Sequence, residues 1–421
     1  MPSSEVDPTR RRRRNVALLV AAVVATAAAG AGVGVYLHQR STHGRSVAVS
    51  SGSPSLTPGS SGTASPTPSR SPDPAEALGL PRGGGVPAGF VAASVTTTAR
   101  GITYLLGSAP CATPPCGALV RYDGLHWRGV PAPAAAIALK DPSTRSSTVR
   151  DVRFGTPRDG WAYGGALWST HDGARNWRRV DAGGAVVDLA SDGTTAYAAV
   201  STCTGSADNC RLRLRSTPVG RDDWRDVPGV AAAGSEARLS MGDGTAAVSF
   251  VDTRVVYLRH GGAWSAADVR CPDGAPQVVG SASSPRLFAF CGSPGAGNVD
   301  YLIRYSDDGR TWTDVPLGTG HLRIPNGPFT SFTAASSRVL LAASGGPSLG
   351  GRVMVSRDGG ATWAAASGHG GLPDLDSSQG GGWRYVGASS ASRIVALAAV
   401  PHNGYWVSHD GGRTWQTITA G

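Results

Sequence analysis

The sequence predicts an all-β fold: a seven-bladed β-propeller of four-stranded antiparallel blades, preceded by an N-terminal transmembrane helix and a disordered linker. Three observations carry this expectation. Seven tryptophans (Trp127, Trp177, Trp224, Trp264, Trp312, Trp363 and Trp415) recur at a mean interval of 48 residues, the length of one blade. Each interval divides into four short β-rich runs split by turn residues. In the second they are VRDVRFGT, GWAYGG, ALWST and NWRRV; in the seventh, WRYVGAS, RIVALAAV, GYWVS and TWQTI. Composition disfavours long helices, because the only lysine is Lys140 and the only glutamates are Glu5, Glu76 and Glu236. The residues that fill exposed helix surfaces are missing.

Composition also bounds the class. Of 421 residues, 40% are hydrophobic and 16% charged, and the 59 glycines show no period of three. Wholesale disorder, collagen and coiled coil are thereby excluded. Residues 1–15 read as a basic cytoplasmic tail, because the run Arg10–Arg14 precedes the uncharged stretch Val16–Leu37. As a helix that stretch spans about 33 Å, which matches a hydrocarbon core of about 30 Å. The positive-inside rule keeps the N-terminus cytoplasmic and places everything after residue 38 outside. The competing reading is a cleaved signal peptide, with small residues at Ala25-Thr26-Ala27 and Ala28-Ala29-Gly30 suited to a peptidase. Both readings export the rest of the chain. Residues 38–86 read as linker: from Ser41 to Pro74, 25 of 34 residues are Ser, Thr, Pro or Gly, too polar to bury a core. The propeller is assigned to residues 87–421.

Four tryptophans close a common phrase. The seventh repeat reads Ser408-His-Asp410-Gly-Gly412-Arg-Thr414-Trp415, and the sixth Ser356-Arg-Asp358-Gly-Gly360-Ala-Thr362-Trp363. The fifth supplies Asp307, Gly309, Thr311 and Trp312; the second supplies Thr170, Asp172 and Trp177, with Ala174 in place of glycine. The pattern falls between the third and fourth runs. There an Asp carboxylate can accept backbone N–H bonds, Gly can supply positive φ, and Trp can pack between sheets. Asp172, Asp307, Asp358 and Asp410, with Trp177, Trp312, Trp363 and Trp415, are therefore expected to be structural. The phrase S/T-x-D-x-G-x-T-W resembles the Asp-box (BNR) repeat. Ahead of the second phrase, Phe154-Gly-Thr-Pro-Arg-Asp-Gly-Trp161-Ala-Tyr-Gly164 is similar to the propellers related to photosystem II assembly factors. That resemblance implies a scaffold or assembly role.

Strand parity sorts the loops into two faces. Turns between strands one and two and between three and four share one face; the remaining loops share the other. All six cysteines fall on the latter. Proximity favours Cys111–Cys116, Cys203–Cys210 and Cys271–Cys291, and an exported chain meets an oxidising compartment. No histidine sits at ligand spacing beside them, so a metal site is not expected, and no cofactor motif occurs. Leu322-Arg323-Ile324-Pro325 resembles the F/Y-R-I-P motif of sialidases, but it follows the fifth tryptophan instead of preceding the first box. Gly346-Pro-Ser348-Leu-Gly350 matches G-x-S-x-G without the strand-to-helix elbow that motif needs. Asp374 and Asp376 lie in the long sixth connection.

The net charge of +10 is spread over dispersed arginines, so nucleic acid is not an expected partner of an exported domain, whereas anionic glycans are compatible with it. The expectation is thus a single-pass membrane protein, monomeric, holding a binding propeller outside the cell membrane for a protein or cell-envelope glycan. Arg323, Asp374, Asp376 and Glu236 are its candidate ligand contacts. The alternative is a sialidase-like glycoside hydrolase, with Asp374 or Asp376 as acid and Arg323 on a substrate carboxylate.

Overall fold

The computed structural model describes residues 74–112, 116–138, 147–204, 209–272, 274–294, 299–316, 329–345, 351–367, 369–375 and 381–421. Arg323, Asp376, the Val16–Leu37 stretch and the segments 322–325 and 346–350 lie outside them. No helix among the described residues is long and apolar enough to cross a membrane.

Seven four-stranded antiparallel sheets follow one another along the chain, each a meander in sequence order. We call them blades 1 to 7. They occupy residues 91–130, 151–180, 185–233, 237–267, 276–314, 329–365 and 383–419. The first strand of each blade is innermost and the fourth outermost. A two-stranded parallel pair, Ala136–Ile137 with Thr148–Val149, flanks the connection between blades 1 and 2.

The apolar residues do not form one core. They form seven clusters, one at each junction between neighbouring blades. Each cluster takes in one of the seven periodic tryptophans at the head of a fourth strand. Trp363 is an example: it is buried against Phe290 and Ile303 of the preceding blade, and its Nε1 donates to Gly360 O at 3.0 Å. Trp177 sits against Phe154 edge-on and donates to Pro131 O at 2.8 Å.

Ring closure uses the same device. Blade 7 is completed by its own fourth strand, Gln416–Thr419, so no strand is exchanged with blade 1. The junction is held by Val395, Leu397, Tyr405 and Val407 packing on Val95, Leu105 and Val120. Tyr405 and Thr103 hydroxyls add a 3.3 Å hydrogen bond, and Ala92 N donates to His402 O at 2.8 Å.

The turns before these tryptophans are built on carboxylates. Asp410 Oδ1 accepts from the backbone N–H groups of Arg413 and Thr414, both at 2.9 Å, while Ser408 Oγ accepts from Gly412 N at 2.8 Å. Asp172 and Asp358 hold equivalent turns. Ala174 adopts φ 67° where blades 6 and 7 use glycine.

The fifth blade corrects the reading of Asp307. There Asp308 is the turn acceptor, bonded by Arg310 N and Thr311 N at 2.8 and 2.7 Å. Asp307 instead points outward to a bidentate pair with Arg286. This turn is one residue shorter, so counting back from the tryptophan lands one place early, whereas counting forward from Ser306 gives the acceptor. A carboxylate turn also occurs in blade 1, where Asp123 accepts from Leu125 N and His126 N at 2.9 and 2.7 Å.

The packed body begins before residue 87. A short helix, Pro74–Ala77, precedes Leu80, and Ala75 and Leu80 are buried in the cluster between blades 1 and 2. Gly84 then pairs with Gly129 of the outermost strand through two backbone bonds of 2.8 and 3.1 Å. A Cβ on Gly129 would stand 2.4 Å from Gly85 O, so this approach requires glycine. Residues 74–86 therefore belong with the propeller, not with the linker that their composition indicated.

The two aspartates of blade 5 predict different outcomes. Asp308→Ala removes the acceptor of two backbone donors and is expected to lower the melting temperature by several degrees. Asp307→Ala breaks only an exposed ion pair, a contact of little net worth, and is expected to leave the temperature unchanged. Differential scanning calorimetry of both variants checks this; equal shifts would overturn the assignment.

Candidate functional site

The seven first strands present an unpaired edge to the ring axis, and an unpaired strand edge has N–H and C=O groups to satisfy. In blades 1, 3, 6 and 7 the first strand carries a register shift, ending at Ser94, Asp188, Ser331 and Tyr385. In three of the four, the side chain after the shift caps the next blade. Ser94 Oγ accepts from Val152 N at 3.1 Å, Asp188 Oδ2 from Leu239 N at 2.7 Å, and Ser331 Oγ from Val386 N at 3.3 Å. Edge carbonyls are capped by arginines: Arg153 Nη1 donates to Val95 O at 3.3 Å and Arg150 Nη2 to Val187 O at 3.4 Å.

The strands enclose an axial channel of about 640 Å³, lined among others by Arg150, Arg153, Arg238, Arg384, Asp151 and Asp188. Asp151 opens its strand with Arg150 just before it, and Arg238 and Arg384 are second in theirs. The arginines thus gather at the end where connections between blades enter. The opposite end carries turn carboxylates, including Asp192, which pairs with Arg259 at 3.1 Å, and Asp243. The channel is electrically polarised along its axis.

Asp151 sits among three guanidinium groups. Arg150 Nε donates to it at 2.8 Å. Burial opposes its charge, but Arg150, Arg153 and Arg384 outweigh this and hold its carboxyl below the ordinary range. Arg384 itself is lowered by burial and by the like charge of Arg150. Asp188 is pushed up by burial, against the backbone N–H of Leu239 and the charges of Arg153 and Arg238. Tyr163 donates its hydroxyl to Asp188 at 3.3 Å. The Arg153 guanidinium lies 5.0 Å from the Tyr385 ring of blade 7, so it reaches past blade 1 inside the channel.

Sequence reasoning missed this cluster. Its only signal is charge inside some of the β-rich opening runs, three residues in VRDVRF and one in WRYVGA. Of the residues it did select, Glu236 lies beside the channel in the connection entering blade 4, paired with Arg238 at 2.6 Å. Asp374 is exposed and pairs with Arg352 at 3.5 Å. These two carboxylates stand three blades apart and share no partner.

The three cysteine pairs form as expected: Cys111–Cys116, Cys203–Cys210 and Cys271–Cys291. Cys203 and Cys210 sit at facing ends of the second and third strands of blade 3. Cys291 lies within the second strand of blade 5, opposite Pro276. All three bridges occupy the arginine-bearing end of the ring.

A second titratable cluster lies at the other end, between blades 2 and 3. His171 bridges Asp159 at 3.0 Å and Asp222 at 3.3 Å. Its pKa is pushed up to about 9, first by the hydrogen bond to Asp159 and then by that to Asp222. Asp222 is held near 2: burial opposes its charge, but bonds from His171, Arg178 and Ser169 prevail. Ser169 Oγ donates to Asp222 at 2.8 Å and not to His171, so the cluster is a clamp between blades without an activated nucleophile.

No protein-family model matches the chain, and no curated protein sequence matches it. Among solved structures, YCF48 bound to a D1 peptide is similar at 16% identity over 78% of this chain and 93% of that one, TM-score 0.48. YCF48 from Cyanidioschyzon merolae is similar at 13% identity over 79% and 97%, TM-score 0.46. An acylaminoacyl peptidase of Pyrococcus horikoshii is similar at 7% identity over 78% and 52%, TM-score 0.49. The likeness is one of fold.

The His171 clamp predicts a pH dependence of stability. Its folded pKa of about 9 stands above an ordinary histidine's, about 6.5. Its contribution is complete below the lower value and fades as pH rises through the upper one. Asp222, depressed to about 2, contributes fully above about pH 4 and loses its part as pH falls through its folded value. Thermal melts from pH 6 to 10 are expected to show a falling limb that His171→Gln removes while lowering the melting temperature at pH 6. A limb unchanged in the variant would refute the clamp.

Proposed function

We propose that the chain is a membrane-anchored, extracytoplasmic binding scaffold that takes an acidic ligand, presented by a cell-envelope protein or glycan, at the disulfide-bearing end of its channel. The observation that carries this reading is the gathering of Arg150, Arg153, Arg238 and Arg384 at one mouth of the channel. A cleft lined by one sign of charge focuses the field and concentrates ligands of the other sign. Loops tied by three disulfides at the same end lose little freedom on binding. The apolar stretch Val16–Leu37 and the preceding arginines supply the anchor and its orientation. The turn carboxylates act as Asp-box scaffolding on the far face.

Binding is favoured over catalysis by how the channel carboxylates are engaged. Asp188 is bonded by two backbone N–H groups and Tyr163, and Asp151 by Arg150. Tyr163 is itself buried, with 1% of its surface exposed, and is closed to a substrate.

The test is capture of acidic envelope material by the immobilised full-length chain. Retention should fall with added salt, since exposed charges are screened within about 10 Å at 0.1 M. It should fall about tenfold or more in Arg238→Gln/Arg384→Gln, given about 1.5–3 kcal/mol for each hydrogen bond to a charged group. Salt-insensitive capture, unchanged in the double variant, would overturn the proposal.

A further inference from the structure

We infer that the junction between blades 7 and 1 is a seam at which the ring opens sideways, held on the channel side by Arg153 of blade 2 against Tyr385 of blade 7. Such an opening governs access to the channel whether or not the binding role proposed above holds.

Continuity of the chain singles out this junction. Six junctions are crossed by the connection between consecutive blades, whereas blades 7 and 1 are joined only by the long way round the ring. When two consecutive blades part, a short connection still holds them near each other. When blades 7 and 1 part, no such connection remains, so more chain freedom is gained. Sub-global opening follows the boundary that costs least to part.

The inner edge points the same way. In blades 1, 3, 4 and 6 a side chain of the first strand accepts from an N–H of the next blade's first strand. Ser94 accepts from Val152 at 3.1 Å, Asp188 from Leu239 at 2.7 Å, Ser240 from Gly280 at 3.0 Å and Ser331 from Val386 at 3.3 Å. Blades 2 and 5 meet the blade that follows through backbone bonds, Gly165 with Val186 and Ala334 with Ala282. In blade 7 the residue after the register shift is Tyr385. Its ring lies along its own strand over Gly387, where an added Cβ would strike the hydroxyl. The first strand of blade 1 is met instead by a loop, through Ala92 N on His402 O at 2.8 Å. Further out, Tyr405 to Thr103 at 3.3 Å and Arg393 Nη2 to Gly101 O at 3.4 Å are long for hydrogen bonds.

What Tyr385 offers is the face of its ring, and the Arg153 guanidinium stands 5.0 Å from its centroid. Arg153 also donates Nη1 to Val95 O of blade 1 at 3.3 Å. One side chain rooted in blade 2 thus touches both sides of the seam from within the channel. A guanidinium over an aromatic face is held more firmly where water is excluded, yet it is released without breaking a strand. The remaining barrier is the packing of Val395, Leu397 and Val407 on Val95, Leu105 and Val120. Parting it opens the channel wall between two blades, and a chain-like ligand then enters without threading through an end.

The experiment follows backbone hydrogen exchange of the full-length chain by mass spectrometry at rising, sub-denaturing urea. Blades 1 and 7 are expected to exchange through one shared opening, with a common rate and a common urea slope, ahead of blades 4 and 5. Tyr385→Leu and Arg153→Met should each speed that opening about tenfold. Tyr385→Phe keeps the ring face and should not. The control is Arg259, which lies 5.3 Å from the Tyr197 ring across the chain-connected junction of blades 3 and 4 and pairs with Asp192. Arg259→Met removes more contacts than Tyr385→Leu and should still produce no separate opening of blades 3 and 4.

Exchange of blades 1 and 7 only together with blades 4 and 5, or with unequal slopes, overturns the inference. So does Tyr385→Leu without acceleration, Tyr385→Phe as fast as Tyr385→Leu, or a separate opening in Arg259→Met. If Arg153→Met does not fold, the two Tyr385 variants carry the comparison alone.

Discussion

The whole structure depends on the wedge between neighbouring blades. A four-stranded blade has two apolar faces and cannot bury either by itself. Each junction solves this with a cluster closed by one tryptophan at the head of a fourth strand. A buried aromatic of this size dominates its local packing, so a tryptophan every 48 residues repeats the junction more than it repeats the blade. The seventh junction shows this clearly. Trp127 packs edge-on to Tyr405 with no shared strand, and side-chain packing with a few hydrogen bonds closes the ring. Stability in such an array is a sum of neighbour terms, and no two of the seven sheets share a strand across the axis.

That exclusion produces the channel and its chemistry. Seven strand edges converge on the axis, and no sheet pairs with them. Their N–H groups are met by Ser94, Thr96, Asp188 and Ser331, and their carbonyls by Arg150 and Arg153. Equivalent places thus hold serine in two blades and aspartate in a third, all serving one structural need. The aspartate adds a charge that serine does not, and the arginines add several. The positive wall here grows out of edge capping: the arginines that silence the edges also line the channel at one end.

How much of this the sequence disclosed follows from what repeats. The tryptophan interval and the S/T-x-D turn are local patterns, legible because each is complete within a dozen residues. The cysteine pairs were legible for another reason: strand parity brings each partner to one end, even for Cys271 and Cys291, 20 residues apart. Asp307 was mistaken for Asp308 because a turn shorter by one residue keeps both ends of the phrase while shifting its middle. Residues 74–86 read as linker from composition, yet Leu80 and the contact of Gly84 with Gly129 need only one apolar side chain and one glycine. The channel arginines were illegible for a deeper reason. Arg150, Arg238 and Arg384 are far apart in sequence, and each alone resembles any exposed strand charge. They become a site only when first strands from blades 2, 4 and 7 meet at the axis.

The two ends of the ring divide the labour. One carries the carboxylate turns and the His171 clamp, where Asp159, Asp222, Arg178 and Ser169 satisfy one another within blades 2 and 3. Charges there are paired off locally, so that end contributes little net field along the axis. At the other end, disulfides fix the loops of blades 1, 3 and 5, and Arg150, Arg153, Arg238 and Arg384 line the channel. A loop already held in place needs little further ordering, and a wall of one sign of charge focuses the field. The asymmetry therefore has a physical direction: the far end holds its turns by local carboxylate bonds, while the disulfide end gathers the positive side chains that line the channel.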